Sequence, residues 1–321
     1  MKRLMLLLTT ALLAFSGIAA AVELPGPLVT PQWLAAHRAE VNVLTVVEDP
    51  KDFTSAPKYV TDNGKQVLDE VGGHVPGSLM VDFNALRADR KIDGRTIKAM
   101  LVDRATFQRL MQDAGVQAGK PIVIVSAGAS GNDLDMAARL YWSLKYYGAR
   151  QLAILNGGTT AWLLAGNPVS SDPAPKTKGD WVATGEDKAI LADSRQVAEA
   201  AKHGEQLIDA RPVAFWLGLT KKPVASKAGR IPGAHDFPPE ARSRQAGGAE
   251  EFLDRAQYAD ILKTLGIDPH KPSITYCNTG HLASGAWFVM NEVLGTPSKL
   301  YDGSMHEWTA EDRPVAGLPA R

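Results

Sequence analysis

The one cysteine of the 321-residue chain, Cys277, stands between an apolar run, Ser273-Ile274-Thr275-Tyr276, and a short polar stretch, Asn278-Thr279-Gly280-His281. Leu282 to Met290 follow as a mostly apolar segment of helical length, with a glycine stop at Gly295. The pattern predicts a thiol held between a strand end and a helix N-terminus. Loop amides and the positive end of a helix favour thiolate over thiol and attract anions, so the expected chemistry is attack on an anionic sulfur or phosphorus compound. A buried structural thiol is the plainer reading of a lone cysteine, but the loop position favours a reactive one.

Loop composition narrows the chemistry. A cysteine phosphatase needs an arginine six positions after the nucleophile, whose planar fork grips phosphate in two places, and that position is Ala283. One thiol cannot form an internal disulfide, and no second cysteine makes the pair of a disulfide exchanger. His37, His74, His203, His235, His270 and His306 lack metal-ligand spacing, so neither a metal nor a cofactor is expected. Asp209 and Arg211 end another apolar run and read first as a structural ion pair.

The elements that must position the thiol occur twice. His74-Val75-Pro76-Gly77-Ser78 with Asp82-Phe83 answers Arg230-Ile231-Pro232-Gly233-Ala234 with Asp236-Phe237, and Asn156-Gly157 to Trp162 answers Asp302-Gly303 to Trp308. Strand-like Val43–Val47 matches Leu207–Arg211, and Ile122–Val125 matches Ile274–Tyr276. Each half then carries a helix-like segment, Leu134–Tyr147 or Leu282–Leu294. Short Val, Ile and Leu runs alternating with helical segments predict an α/β fold of two domains, each a parallel sheet covered by helices on both faces. Ligands bind such sheets at the carboxyl ends of the strands, where Cys277 would sit. The halves are expected at 25–168 and 189–321, joined by a proline-rich, polar linker at 169–188. Trp162 and Trp308, at matching positions, are expected to be equivalent core anchors.

Lysine plus arginine equals aspartate plus glutamate at 35 each, and no basic cluster stands out, which argues against a nucleic-acid partner. Met1-Lys2-Arg3, the apolar stretch Leu4–Phe15 and the small residues Ser16–Ala21 have the pattern of a cleaved secretory signal peptide over 1–21. A periplasmic or secreted protein without a membrane span is the expectation.

Taken in order, the Leu207–Arg211 strand, the Gly229–Ala234 turn, the Cys277–Leu282 loop and the Asp302–Trp308 segment resemble the tandem-domain rhodanese sulfurtransferases, over nearly all of the chain after the signal. The resemblance implies a second domain carrying the nucleophile and a catalytically silent first copy, in which about Ser126 stands where Cys277 would be. It implies Cys277 as a persulfide carrier, with Asn278, Thr279, Gly280, His281 and Leu282 binding substrate. The donor would be thiosulfate or 3-mercaptopyruvate and the acceptor cyanide, a small thiol or a protein thiol. Alternatives from other classes are a non-enzymatic envelope module that binds a sulfur anion or a protein, and a persulfide relay protein. The loop lacks the Arg or Lys common beside such cysteines, and Phe215 replaces the family's substrate-binding arginine. The anion would then depend on loop amides, on His281, and on Lys221, Lys222 or Lys227.

Overall fold

A computed structural model describes residues 22–318; the segment 1–21, expected from sequence to be a signal peptide, lies outside the described residues. In the first half the chain forms β1 (Leu28–Val29), α1 (Pro31–His37), β2 (Asn42–Val47), α2 (Pro50–Thr54), β3 (Lys58–Asp62), β4 (Lys65–Glu70) and β5 (Leu79–Asp82). It continues with β6 (Arg87–Ile92), β7 (Arg95–Leu101), α3 (Arg104–Ala114), β8 (Ile122–Val125), α4 (Gly131–Tyr146), β9 (Leu152–Leu155) and α5 (Gly158–Leu164). The second half opens with β10 (Leu191–Ala192), α6 (Ser194–His203), β11 (Gln206–Asp209), α7 (Val213–Trp216), β12 (His235–Asp236), β13 (Ser243–Ala246) and β14 (Ala249–Phe252). It closes with α8 (Arg255–Thr264), β15 (Ser273–Tyr276), α9 (His281–Phe288), β16 (Ser298–Tyr301) and α10 (Ser304–Ala310).

The two large sheets share one topology: β1-β9-β8-β2-β5 in the first half and β10-β16-β15-β11-β12 in the second, with every neighbouring pair parallel. Burial on both faces is why β8 and β9 read as unbroken apolar runs, and β2, β8 and β9 are buried at every residue. Local chemistry starts the helices where the apolar periodicity begins. Ser130 with Asp133, Asp193 with Gln196 and Asp254 with Gln257 each form a reciprocal capping box, opening α4, α6 and α8. The expected helix at Leu282–Leu294 is α9 followed by a π-helical turn over Val289–Val293, and the expected strand Leu207–Arg211 stops at Asp209.

The duplication extends to single hydrogen bonds. The buried Trp162 donates through Nε1 to the Pro168 carbonyl at 2.7 Å, and Trp308 does the same to Pro314 at 2.8 Å, six residues on in both cases. In the first half the amides of Thr159 and Thr160 donate to the carbonyls of Ser126 and Ala127; in the second, Met305 and His306 donate to Cys277 and Asn278.

The halves pack through α4 and α9, which cross where Asp135 lies against Gly285, and one apolar core runs through both. Tyr141 packs on Trp287 and Phe288 and donates to Glu292 at 2.7 Å, which also pairs with Lys145. Each half then sends one antiparallel hairpin to the other half's loop cluster. The β6–β7 hairpin donates its Leu101 amide to Asp302 Oδ2 at 2.8 Å, and the β13–β14 hairpin donates its Phe252 amide to Asn156 Oδ1 at the same distance. Asn156 and Asp302 are repeat equivalents, so the two contacts are one interaction seen from both sides.

Candidate active site

Cys277 follows the last residue of β15, the middle strand of its sheet, which is flanked in parallel by β11 and β16. Ser126 follows β8 in the same way, which places it as the repeat counterpart expected from sequence. Four residues, Cys277 to Gly280, separate the strand from α9, so the thiol does sit before a helix N-terminus. Gly280 is the cap residue, at a left-handed φ of 78°. A Cβ there would fall 2.5 Å from Asp302 Oδ1 and 2.6 Å from Arg139 Nη1, so the position requires glycine for space as well as for backbone angle.

The loop is clamped from below by a residue the sequence did not single out. Ser304 is fully buried, at a left-handed φ of 51° that a non-glycine residue adopts only at some cost. Its hydroxyl accepts from the amides of Cys277 at 3.0 Å and Gly280 at 3.1 Å and donates to the Tyr301 carbonyl at 2.9 Å. The expected cradle of loop amides is therefore smaller than sequence suggested, because two of its members already have an acceptor. The amides of Asn278 and Thr279, and the first-turn amides of His281 and Leu282, have no acceptor among the described residues. The repeat counterpart of Ser304 is Gly158, also left-handed, so the first half keeps the bend and lacks the hydroxyl. That contrast within an aligned pair was the available signal.

The remaining loop residues occupy distinct places. Cys277 is 1% exposed and Asn278 8%, while Thr279, His281 and Leu282 are partly buried. The His281 ring lies 4.7 Å from Phe83 of the first half. Burial pushes its pKa down to about 3, helped by the positive charges of Arg87 and Arg139 and resisted by a hydrogen bond at the Asn132 backbone. His281 is thus neutral at physiological pH. It can offer a hydrogen bond, since Nε2 has no partner, but not the charge that sequence reasoning allowed it to lend to an anion.

The lysines named as alternative cations are engaged or exposed elsewhere. Lys221 donates to the Ala225 carbonyl, and Lys227 pairs with Asp312 and donates to the carbonyls of Asp312 and Arg313, while Lys222 is exposed. Arg211 is buried and bidentate on Asp209, at 2.8 and 2.5 Å, with a further bond to the Gly229 carbonyl, which is the structural ion pair favoured from sequence. Phe215 lies 5.8 Å from that guanidinium.

The cations beside the loop come instead from the first half. Arg139, on α4 and fully buried, reaches Asp302 Oδ1 at 2.7 Å and the Gly280 carbonyl at 3.3 Å; its Nε and Nη2 have no partner among the described residues. Arg87, at the start of β6, stacks 4.1 Å from the same Phe83 ring that His281 meets. Sequence reasoning missed both because it read the first half as scaffold, and neither arginine is near Cys277 in the chain. Among the described residues no cluster of His, Cys, Asp and Glu could hold a metal ion, and no helix is long and apolar enough to cross a membrane.

Comparison with known proteins gives the arrangement a context. The family model described as Rhodanese-like domain matches residues 193–311, the half that carries Cys277. A Mycobacterium tuberculosis protein named for thiosulfate sulfurtransferase activity is 31% identical over 280 residues, covering 84% of this chain and 95% of the relative. The sulfur carrier protein TtuD of Thermus thermophilus is 28% identical over 295 residues, covering 88% and 94%. Among solved structures, the 3-mercaptopyruvate sulfotransferase SseA of Escherichia coli superposes with a TM-score of 0.69 at 24% identity, over 87% of this chain and 98% of its own. The Tum1 protein of Saccharomyces cerevisiae gives 0.72 at 20% identity, over 92% and 99%, and these two likenesses bear on fold. A 31% identity sustained over 280 residues is more than either half could supply alone, so the chain belongs to the tandem-domain rhodanese sulfurtransferase family.

Proposed function

We propose that this sulfurtransferase carries sulfur as a persulfide on Cys277, taking it from an anionic donor and passing it to a thiophilic acceptor. The observation that carries the reading is the placement of the chain's one thiol at the end of the central strand and the start of α9, while its repeat counterpart is the hydroxyl of Ser126. A persulfide needs one nucleophilic sulfur and no resolving cysteine. The Cys277 thiolate attacks the outer sulfur of thiosulfate; the new S–S bond forms as the old one breaks, and sulfite leaves with the electron pair. With 3-mercaptopyruvate the C–S bond breaks instead, and the carbon takes a proton to give pyruvate. Cyanide or a thiolate then attacks the outer persulfide sulfur and the Cys277 thiolate returns, so each cycle closes without an external oxidant or reductant.

The free amides of Asn278, Thr279, His281 and Leu282, with Gly280 shaping the turn, suit a negatively charged sulfur carried on Cys277. Steady-state kinetics with thiosulfate and cyanide should give the parallel double-reciprocal lines of a ping-pong scheme, with thiocyanate formed one for one with sulfite. Intersecting lines would point to a ternary complex and against the carrier. The basic start, apolar core and small-residue end of 1–21 support export, so a precursor expressed in a bacterial host should appear in the periplasmic fraction shortened by about 21 residues. Full-length protein in the cytoplasmic fraction would contradict export and leave the chemistry untouched.

A further inference from the structure

The two halves meet about an approximate twofold relation, and the chemistry at the two ends of that relation differs. Asp82-Phe83 leads to Arg87 in the first half as Asp236-Phe237 leads to Arg242 in the second, and each arginine stacks toward its own phenylalanine, at 4.1 and 5.9 Å. Arg242 crosses to the silent side, where Nη2 pairs with Asp135 Oδ2 at 2.8 Å and Nη1 donates to the carbonyls of Ala210 and Phe237. Its charge is neutralised.

Arg87 has no such partner. Asp135 lies five residues after the α4 cap, Ser130; the residue five after the α9 cap, Gly280, is Gly285. No side chain can stand there, since a Cβ on Gly285 would lie 1.7 Å from Asp135 Oδ1. The carboxylate that satisfies one arginine thus excludes a carboxylate for the other. Arg87 Nη2 donates to Asn84 Oδ1 at 2.9 Å, and among the described residues its buried Nε has no partner and it makes no salt bridge. Glu48, Asp82 and Asp302 lie within electrostatic range, but Asp302 is held by Arg139 and the Leu101 amide. Burial, and then the neighbouring Arg139, make the charge on Arg87 costly to hold. This cation, without a salt-bridge partner among the described residues, lies 4.1 Å from the Phe83 ring that the neutral His281 ring meets at 4.7 Å, close enough to act on His281 and beside a loop that carries no cation of its own.

We propose that Arg87 binds the oxyanion head group of the sulfur donor, a sulfonate or a carboxylate, so that the catalytically silent half supplies the donor-specificity residue of the active one. The assignment rests on the sulfurtransferase reading of Cys277 and deepens it. A guanidinium fork offers two parallel donors to either head group, which loop amides directed at the transferred sulfur do not.

Calorimetric titration of thiosulfate and of 3-mercaptopyruvate into Cys277→Ser protein tests this without turnover. Arg87→Gln in that background should weaken binding of at least one of the two by about tenfold or more, the usual worth of a charge-assisted pair, and the affected anion names the donor. Arg87→Lys should recover part of the loss. With Cys277 intact, Arg87→Gln should raise KM for the same donor with kcat changed far less, and should leave loading by an uncharged organic trisulfide unaffected. Unchanged affinity for both anions overturns the proposal, and so does a trisulfide rate that falls in parallel with the anion rates. Failure of the carrier reading would look different, as wild-type protein that takes sulfur from no donor.

Discussion

Ser304 and His281 show how single side chains set the site. The Ser304 hydroxyl holds two loop amides at once, and its left-handed backbone is the price of putting an oxygen where the first half has Gly158. Ser304→Gly should relieve strain while leaving those amides without an acceptor, effects of about 1 kcal/mol each and opposite in sign. Thermal stability should therefore move little, while kcat/KM should fall about tenfold or more as the loop loses its register. A parallel collapse of stability and activity would make Ser304 a fold residue only. His281 titrates near 6.5 when unfolded and at about 3 when folded. Between those values the unfolded chain binds the extra proton, so stability falls as pH drops below 6.5. His281→Asn should abolish that share, sparing about 2 kcal/mol at pH 5 and nothing at pH 8, as read from urea unfolding at both. Equal acid sensitivity of variant and wild type would show that the ring is not held neutral.

At this scale the sequence was a partial guide. A lone thiol between a strand and a helix is a local pattern, and the placement of Cys277 between β15 and α9 was legible for that reason. Arg87, Arg139 and Ser304 reach the loop from distant points in the chain. No local periodicity reports such meetings, although the mismatch of Ser304 with Gly158 could have been noticed in the repeat.

The elements explain how the first half comes to lie against the cysteine loop. Helices α4 and α9 cross with Asp135 against Gly285, and the hairpins β6–β7 and β13–β14 exchange equivalent contacts with Asp302 and Asn156. Burial raises the Asp135 pKa to about 6 against the pull of Arg242, the sign of a charge kept in the interface by its partner. Asp135→Asn should cost about 3 kcal/mol, because it leaves the buried Arg242 guanidinium without its counter-charge. Denaturant unfolding measures this, and a loss under 1 kcal/mol would show that the carbonyls of Ala210 and Phe237 suffice for Arg242. Strands such as β8 were read to the residue, because a short, fully buried apolar run has few alternatives. The π-helical turn after α9 was not, since a continuous apolar run does not record a change of helical hydrogen bonding.

For the whole molecule, duplication was the most readable feature, and sheet order, hydrogen-bond pattern and tryptophan anchors agree on it. Sequence reasoning could not see that the first half is not mere scaffold: its β6–β7 hairpin bonds to Asp302 and His306, and it brings Arg139 to the Gly280 carbonyl. The central claim remains that Cys277 carries sulfur, and intact-mass measurement tests it most directly. After incubation with thiosulfate or 3-mercaptopyruvate and removal of the donor, the protein should gain one sulfur, about 32 Da, lose it on addition of cyanide, and gain nothing as Cys277→Ser. Wild-type protein that stays at its original mass with both donors, or a Cys277→Ser variant that gains the same mass, would contradict the account.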